Sequence, residues 1–131
     1  MPRATTFVVE PQTMFVPLLE QVLTAAKLRV VDVSAALDID RAVAIAPDVL
    51  FIDPDFDPAD TLEAVRQARS ALPHARICLF TSRHRPAYSD ACLGAGADCV
   101  ISKAATEPQV RRALSRALRG VAYADPRVDA A

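Results

Sequence analysis

The sequence predicts a doubly wound α/β domain, with helices on both faces of a five-stranded parallel sheet. Three observations carry this. Short apolar runs recur as Phe7-Val8-Val9, Val49-Leu50-Phe51-Ile52, Ile77-Cys78-Leu79-Phe80 and Cys99-Val100-Ile101. They are continuous rather than alternating, which is the pattern of strands buried on both faces. The segments between them repeat apolar residues at helical spacing, so strand and helix alternate along the chain. With 131 residues and 52% hydrophobic content, the chain can fill one core without covalent staples.

The elements follow in order. Thr6 to Val9 reads as the first strand. Phe15, Leu18, Leu19, Val22, Leu23 and Ala26 mark the first helix, with Pro17 tolerable only in its first turn. Arg29 to Val33 is the second strand, and a short helix near Leu37 to Ala46 is closed by Pro47. The third strand ends at Asp53. Asp60 with Glu63 three residues on forms a capping-box pattern, Leu62, Val65, Ala68 and Leu72 give that helix an inner face, and Pro73 stops it. The fourth strand runs to Thr81. A helix from near Pro86 stops at Gly94-Ala95-Gly96, and the fifth strand ends near Ile101. Thr106 and Gln109 form another capping box, Val110, Ala113, Leu114, Ala117 and Leu118 line the last helix, and Gly120 ends it. Residues 1–121 are expected to form the domain. Residues 122–131, short, polar and Pro-containing, are expected to be a frayed tail or linker.

Right-handed crossovers and five parallel strands fit the flavodoxin-like order 2-1-3-4-5. Its switch point lies between the first and third strands, where open α/β sheets bind ligands beyond the strands' carboxyl ends. There the sequence places Glu10 and Asp53 opposite each other. Thr81-Ser82 and Ser102-Lys103 end the next two strands, so two acids, hydroxyls and an ammonium converge on one rim.

These pieces resemble response-regulator receiver domains of two-component signalling, from Thr6 to about Gly120. The matching segments are FVVE at 7–10, PDVLFID at 47–53, ICLFTS at 77–82 and GADCVISK at 96–103. The last piece and the Arg-rich helix after it look most like receivers that precede helix-turn-helix output domains. The resemblance implies that Asp53 is the phosphoacceptor from a histidine kinase or phosphotransfer protein. It implies that Lys103 pairs with the phosphoryl group and that Thr81 turns its hydroxyl towards it. It implies Mg²⁺ as cofactor, held by Glu10, Asp53 and the backbone carbonyl of Asp55. It further implies a cytoplasmic signalling protein rather than an enzyme, with output, or contact with a second copy, through helix four, strand five and helix five. Nucleic acid would be met only through an output domain, and none lies within these residues.

Some positions depart from the receiver pattern. Glu10 is followed by Pro11 where a second acid is usual, so one metal carboxylate is missing and Mg²⁺ binding is expected to be weak. Val100 stands where an aromatic ring is common, and Ala104 follows Lys103. Asp55 and Arg83, which would flank the phosphoryl group, have opposite charge. These departures keep a second reading open: a degenerate pseudo-receiver acting as a phosphorylation-independent interaction module.

Other classes find less support. A flavin carrier on the same fold needs a glycine-, Ser- or Thr-rich phosphate loop, and Glu10-Pro11-Gln12-Thr13-Met14 has no glycine. The 15 basic and 16 acidic residues leave a net charge of −1, which offers no global field for nucleic acid. Arg111, Arg112, Arg116 and Arg119 on the last helix suit either a solvated face or a partner surface. Cys78, Cys92 and Cys99 lack metal or redox spacing and read as small buried residues. No apolar stretch reaches membrane-spanning length.

Overall fold

In the computed structural model, which describes residues 3–54 and 58–130, the apolar runs become strands β1 (Ala4–Val9), β2 (Leu28–Ser34), β3 (Val49–Ile52), β4 (Arg76–Thr81) and β5 (Cys99–Ser102). Helices α1 (Val16–Ala25), α2 (Ile39–Ile45), α3 (Pro58–Ala71), α4 (Tyr88–Ala95) and α5 (Glu107–Leu118) follow them in turn. All pairings are parallel, and β2-β1-β3-β4-β5 is the expected order. Alternate strand residues serve two cores. Leu50 and Ile52 join Phe7, Val9, Leu79 and Val100 beneath α2, α3 and α4. Val49 and Phe51 join Val8, Cys78 and Ile101 beneath α1 and α5. Every residue of β3 and β5 is buried, hence their unbroken apolar runs. The three cysteines are free and buried.

The helix ends follow local chemistry. Pro17 sits in the first turn of α1, just after a 3-10 turn at Thr13–Phe15. The capping box at Thr106 and Gln109 is formed as expected. That at Asp60 is not: α3 begins at Pro58, which places Asp60 inside its first turn, where its charge favours the helix dipole. Gly96 ends α4 at φ 121°, and a Cβ there would lie 2.8 Å from the Cβ of Arg69.

The main correction concerns residues 122–131. Rather than fraying, Tyr123–Ala124 form a sixth strand, β6, parallel to β5, and Pro126–Asp129 form a one-turn helix, α6. Val128 has no exposed surface and joins the core beneath α4, and Asp125 is equally buried. Local polarity hid this order, because the fully buried apolar anchor is a single valine and the remaining bonds, backbone to backbone and side chain to backbone, are made with groups distant in sequence. Among the described residues, no helix is long and apolar enough to cross a membrane.

Candidate functional site

The site is built by register. Val9 of β1 lies opposite Ile52 of β3, so the residues that follow, Glu10 and Asp53, leave the sheet side by side. Their backbones stay tied to it: Glu10 N donates to Ser34 O at 2.9 Å and Asp53 N to Val9 O at 2.9 Å. Lys103 follows β5, and its backbone N donates to Thr81 O. From there its ammonium reaches Asp53, Nζ to Oδ2, at 2.6 Å. Glu10 and Asp53 are only 1% and 2% exposed. They border a cavity of about 190 Å³ whose remaining wall among the described residues, apart from Lys103, is Phe15, Leu18, Leu19 and Phe80.

This apolar wall sets the electrostatics. Burial pushes the Glu10 carboxyl up from 4.5 to about 7, and its hydrogen bond with Asp53 adds to the rise. The Gln12 N–H, which donates to Glu10 Oε1 at 2.9 Å, and the Lys103 ammonium pull the other way and do not cancel it. Below about pH 7 the two carboxyls are therefore held together by a proton on Glu10 and by the Lys103 ammonium.

The same geometry tests the expected metal site. Glu10 and Asp53 supply two carboxylates, and Pro11 supplies none. Asp55, the third expected ligand, lies outside the described residues, among which no cluster of three acidic, His or Cys ligands forms. Two carboxylates suffice for Mg²⁺ when phosphate oxygens complete its shell. The residues thus fit a cation that arrives with a phosphoryl group better than one bound alone.

Thr81, the remaining expected site residue, is fully buried at the end of β4 but does not line the cavity. Its Oγ1 accepts the Arg83 N–H at 3.0 Å, a local turn bond that leaves the hydroxyl proton to be donated elsewhere. Phe80, one residue earlier, occupies the cavity wall beside Asp53. Sequence reading missed it, although strand alternation from the two cores assigns Phe80 and Asp53 to the same face. The Asp55–Arg83 pair cannot be described, since Asp55 lies outside the described residues. On α5, Arg112, Arg116 and Arg119 line an open groove of about 480 Å³ with Gln109, Ser115 and Tyr123. The face of α4, β5 and α5 expected to meet a partner is altered by the chain itself, since β6 pairs with the edge of β5 and α6 packs on α4.

No protein-family model and no curated relative matches the sequence. Solved structures do match it. A LuxR-family two-component response regulator from Aurantimonas sp. SI85-9A1 superposes with a TM-score of 0.82 at 21% identity, covering 96% of this chain and 92% of that one. A pilus assembly-related protein from Burkholderia pseudomallei gives 0.78 at 20% identity, with 95% and 96% covered. The signal receiver domain of the response regulator NarL from Mycobacterium tuberculosis gives 0.74 at 22%, with 92% and 99% covered. At these identities the likeness speaks for architecture: the chain has the receiver fold, the doubly wound α/β domain of two-component response regulators.

Proposed function

We propose that the protein is a signal-receiving domain of a two-component system in which Asp53 accepts a phosphoryl group from a histidine kinase or phosphotransfer protein. The observation that supports this most is the Lys103 Nζ at 2.6 Å from Asp53 Oδ2, beside Glu10, at the carboxyl edge of a parallel sheet. In the step, a carboxylate oxygen of Asp53 attacks phosphorus. The bond from phosphorus to the donor nitrogen breaks, and an acyl phosphate forms as that nitrogen takes up a proton. Lys103, already at the attacking carboxylate, exchanges its partner for a phosphoryl oxygen. Glu10, hydrogen-bonded to Asp53, helps hold it in place. Mg²⁺, when bound by Glu10 and Asp53, would neutralise part of the phosphoryl charge. Incubation with a small phosphodonor and Mg²⁺, followed by mass spectrometry, tests the assignment. One phosphoryl adduct is expected, lost in Asp53→Asn, and an adduct that survives in that variant would refute it.

A second reading, the phosphorylation-independent interaction module, is favoured by Pro11 and by the proton-linked Glu10–Asp53 pair, which fills the acidic site without a metal. Titration with Mg²⁺ and fluoroberyllate, a phosphoryl mimic, separates the two. Binding at Asp53 supports reception, whereas no response at saturating Mg²⁺ supports the module.

A further inference from the structure

The segment after α5 reaches back towards the site. β6 holds to the edge of β5 through Tyr123 N to Asp98 O at 3.0 Å and Asp125 N to Val100 O at 2.9 Å. The ladder then changes character. Where a longer strand would offer a carbonyl to the next N–H of β5, the Asp125 carboxylate does so instead, accepting from Ser102 N at 3.1 Å through Oδ2. That carboxylate is fully buried. It is neutralised by Arg127, whose Nη1 donates to both its oxygens at 2.9 and 2.8 Å. Arg127 Nη2 donates in turn to Oε1 of Gln109, the same atom that closes the capping box of α5. The carboxylate thus serves two backbone groups: Oδ1 accepts the Arg127 N–H at 3.0 Å and caps α6, while Oδ2 takes the Ser102 N–H, and the half-buried Arg127 side chain supplies the charge that makes a fully buried carboxylate tolerable.

Ser102 is the residue before Lys103. Its side chain is fixed as well, with Oγ 3.0 Å from His84 Nε2 and accepting the Ala104 N–H at 3.0 Å. The turn that aims the Lys103 ammonium at Asp53 is thus held from three directions: by Thr81 O on Lys103 N, by the Ser102 hydroxyl, and by Asp125. The far end of the segment is pinned to α4 and the loop before it, with Arg85 N donating to Val128 O at 2.7 Å and Ser89 N to Asp129 Oδ1 at 2.9 Å.

We infer that Asp125 and Arg127 are positioning residues for Lys103, so that the segment from Tyr123 to Asp129 is a working part of the phosphoryl site rather than a tail beyond it. By reciprocity, a ligand that engages Lys103 tightens the segment, and loosening the segment weakens that ligand.

The test uses the full chain and two readouts. Arg127→Ala and Asp125→Ala should raise amide hydrogen exchange at Ser102 and Lys103 about ten-fold or more, while Phe7–Val9 in β1 and Val49–Ile52 in β3 keep wild-type protection, which shows that the fold is intact. Asp125→Asn, which still offers an oxygen to Ser102 N–H, should recover most of the protection. The second readout, which rests on the phosphoacceptor reading, is fluoroberyllate affinity, expected to fall about ten-fold in Arg127→Ala. Faster exchange in residues 123–129 with Ser102, Lys103 and fluoroberyllate affinity unchanged would overturn the inference. If wild type does not bind fluoroberyllate at all, the phosphoacceptor reading fails, and exchange at Ser102 and Lys103 still decides this one.

Discussion

Glu10→Gln isolates the electrostatics of the site. In the folded protein the Glu10 carboxyl is raised from 4.5 to about 7, first by burial and then by its bond to Asp53. The unfolded chain holds it at its ordinary value. Between these limits the folded state binds more protons than the unfolded state, so stability falls as pH rises through the window. The contribution of protonated Glu10 is complete below about pH 4.5 and lost above about pH 7. At about 1.36 kcal/mol per unit, the rise corresponds to roughly 3 kcal/mol. With the side chain 1% exposed, solvent screening does little to reduce it. Glutamine fits the same space, can donate to Asp53 as the protonated acid does, and keeps an oxygen for the Gln12 N–H. It therefore holds the low-pH arrangement at every pH.

Urea unfolding of wild type and Glu10→Gln from pH 4.5 to 8 measures the difference directly. The two should agree within about 1 kcal/mol at the acidic end. The variant should be more stable by roughly 3 kcal/mol at pH 8, or on the order of 10 °C in Tm for a domain of this size. Titrating groups away from the site act equally on both proteins and cancel in the comparison. Two parallel curves across the whole range would refute the reasoning, because they would mean that Glu10 titrates alike folded and unfolded and that the carboxyl pair is open to water.

Three further outcomes follow from the same geometry. Lys103→Ala should cost on the order of 2 kcal/mol near pH 7 in urea unfolding, since Asp53, 2% exposed in the wild type, loses the cation 2.6 Å from it; a neutral result would show that water replaces the ammonium freely. Val128→Ala should cost about 1–3 kcal/mol, because the side chain has no exposed surface and leaves a gap beneath α4; no loss would mean that α6 is not docked in solution. Pro11→Asp, at an exposed position, restores a carboxylate beside Glu10 and should tighten Mg²⁺ about ten-fold or more by amide-shift titration; unchanged affinity would remove Pro11 as the cause of weak binding.

The fold was legible because the central strands β3, β4 and β5 carry continuous apolar runs such as Val49 to Ile52 and Ile77 to Phe80, the mark of a sheet covered on both faces. The pairing of Glu10 with Asp53 was legible for the same reason, as register follows once the order of strands is known. The cavity wall was less so. Phe80 belongs to an apolar run, and nothing local says which of its faces looks at the acids until the two cores are assigned. The segment from Tyr123 to Asp129 was misread because its order comes from distant backbone groups: Ser102 N, Arg85 N and Ser89 N. A sequence window centred on Asp125 sees a polar stretch with a proline. It cannot see a β5 edge whose Ser102 N–H takes up a carboxylate.

How a signal could leave this site turns on Val100. In the receiver pattern an aromatic ring at this place moves between buried and exposed positions. Val100 is β-branched, with few χ1 choices, and is fully buried facing α4. Its outer edge is also taken, since it lies opposite Ala124 and its carbonyl accepts the Asp125 N–H. Nothing at this position can swing. Among the described residues, the main chain of Ser102 and Lys103 links the carboxyls to the rest of the face and is tied through Ser102 N to Asp125. Saturating fluoroberyllate should therefore shift backbone amides at Glu10, Asp53, Ser102 to Ala104 and Tyr123 to Arg127, while those of α4 and the outer face of α5 stay nearly fixed. Large, widespread shifts through Tyr88–Ala95 would overturn this route and point to a conventional rearrangement of α4.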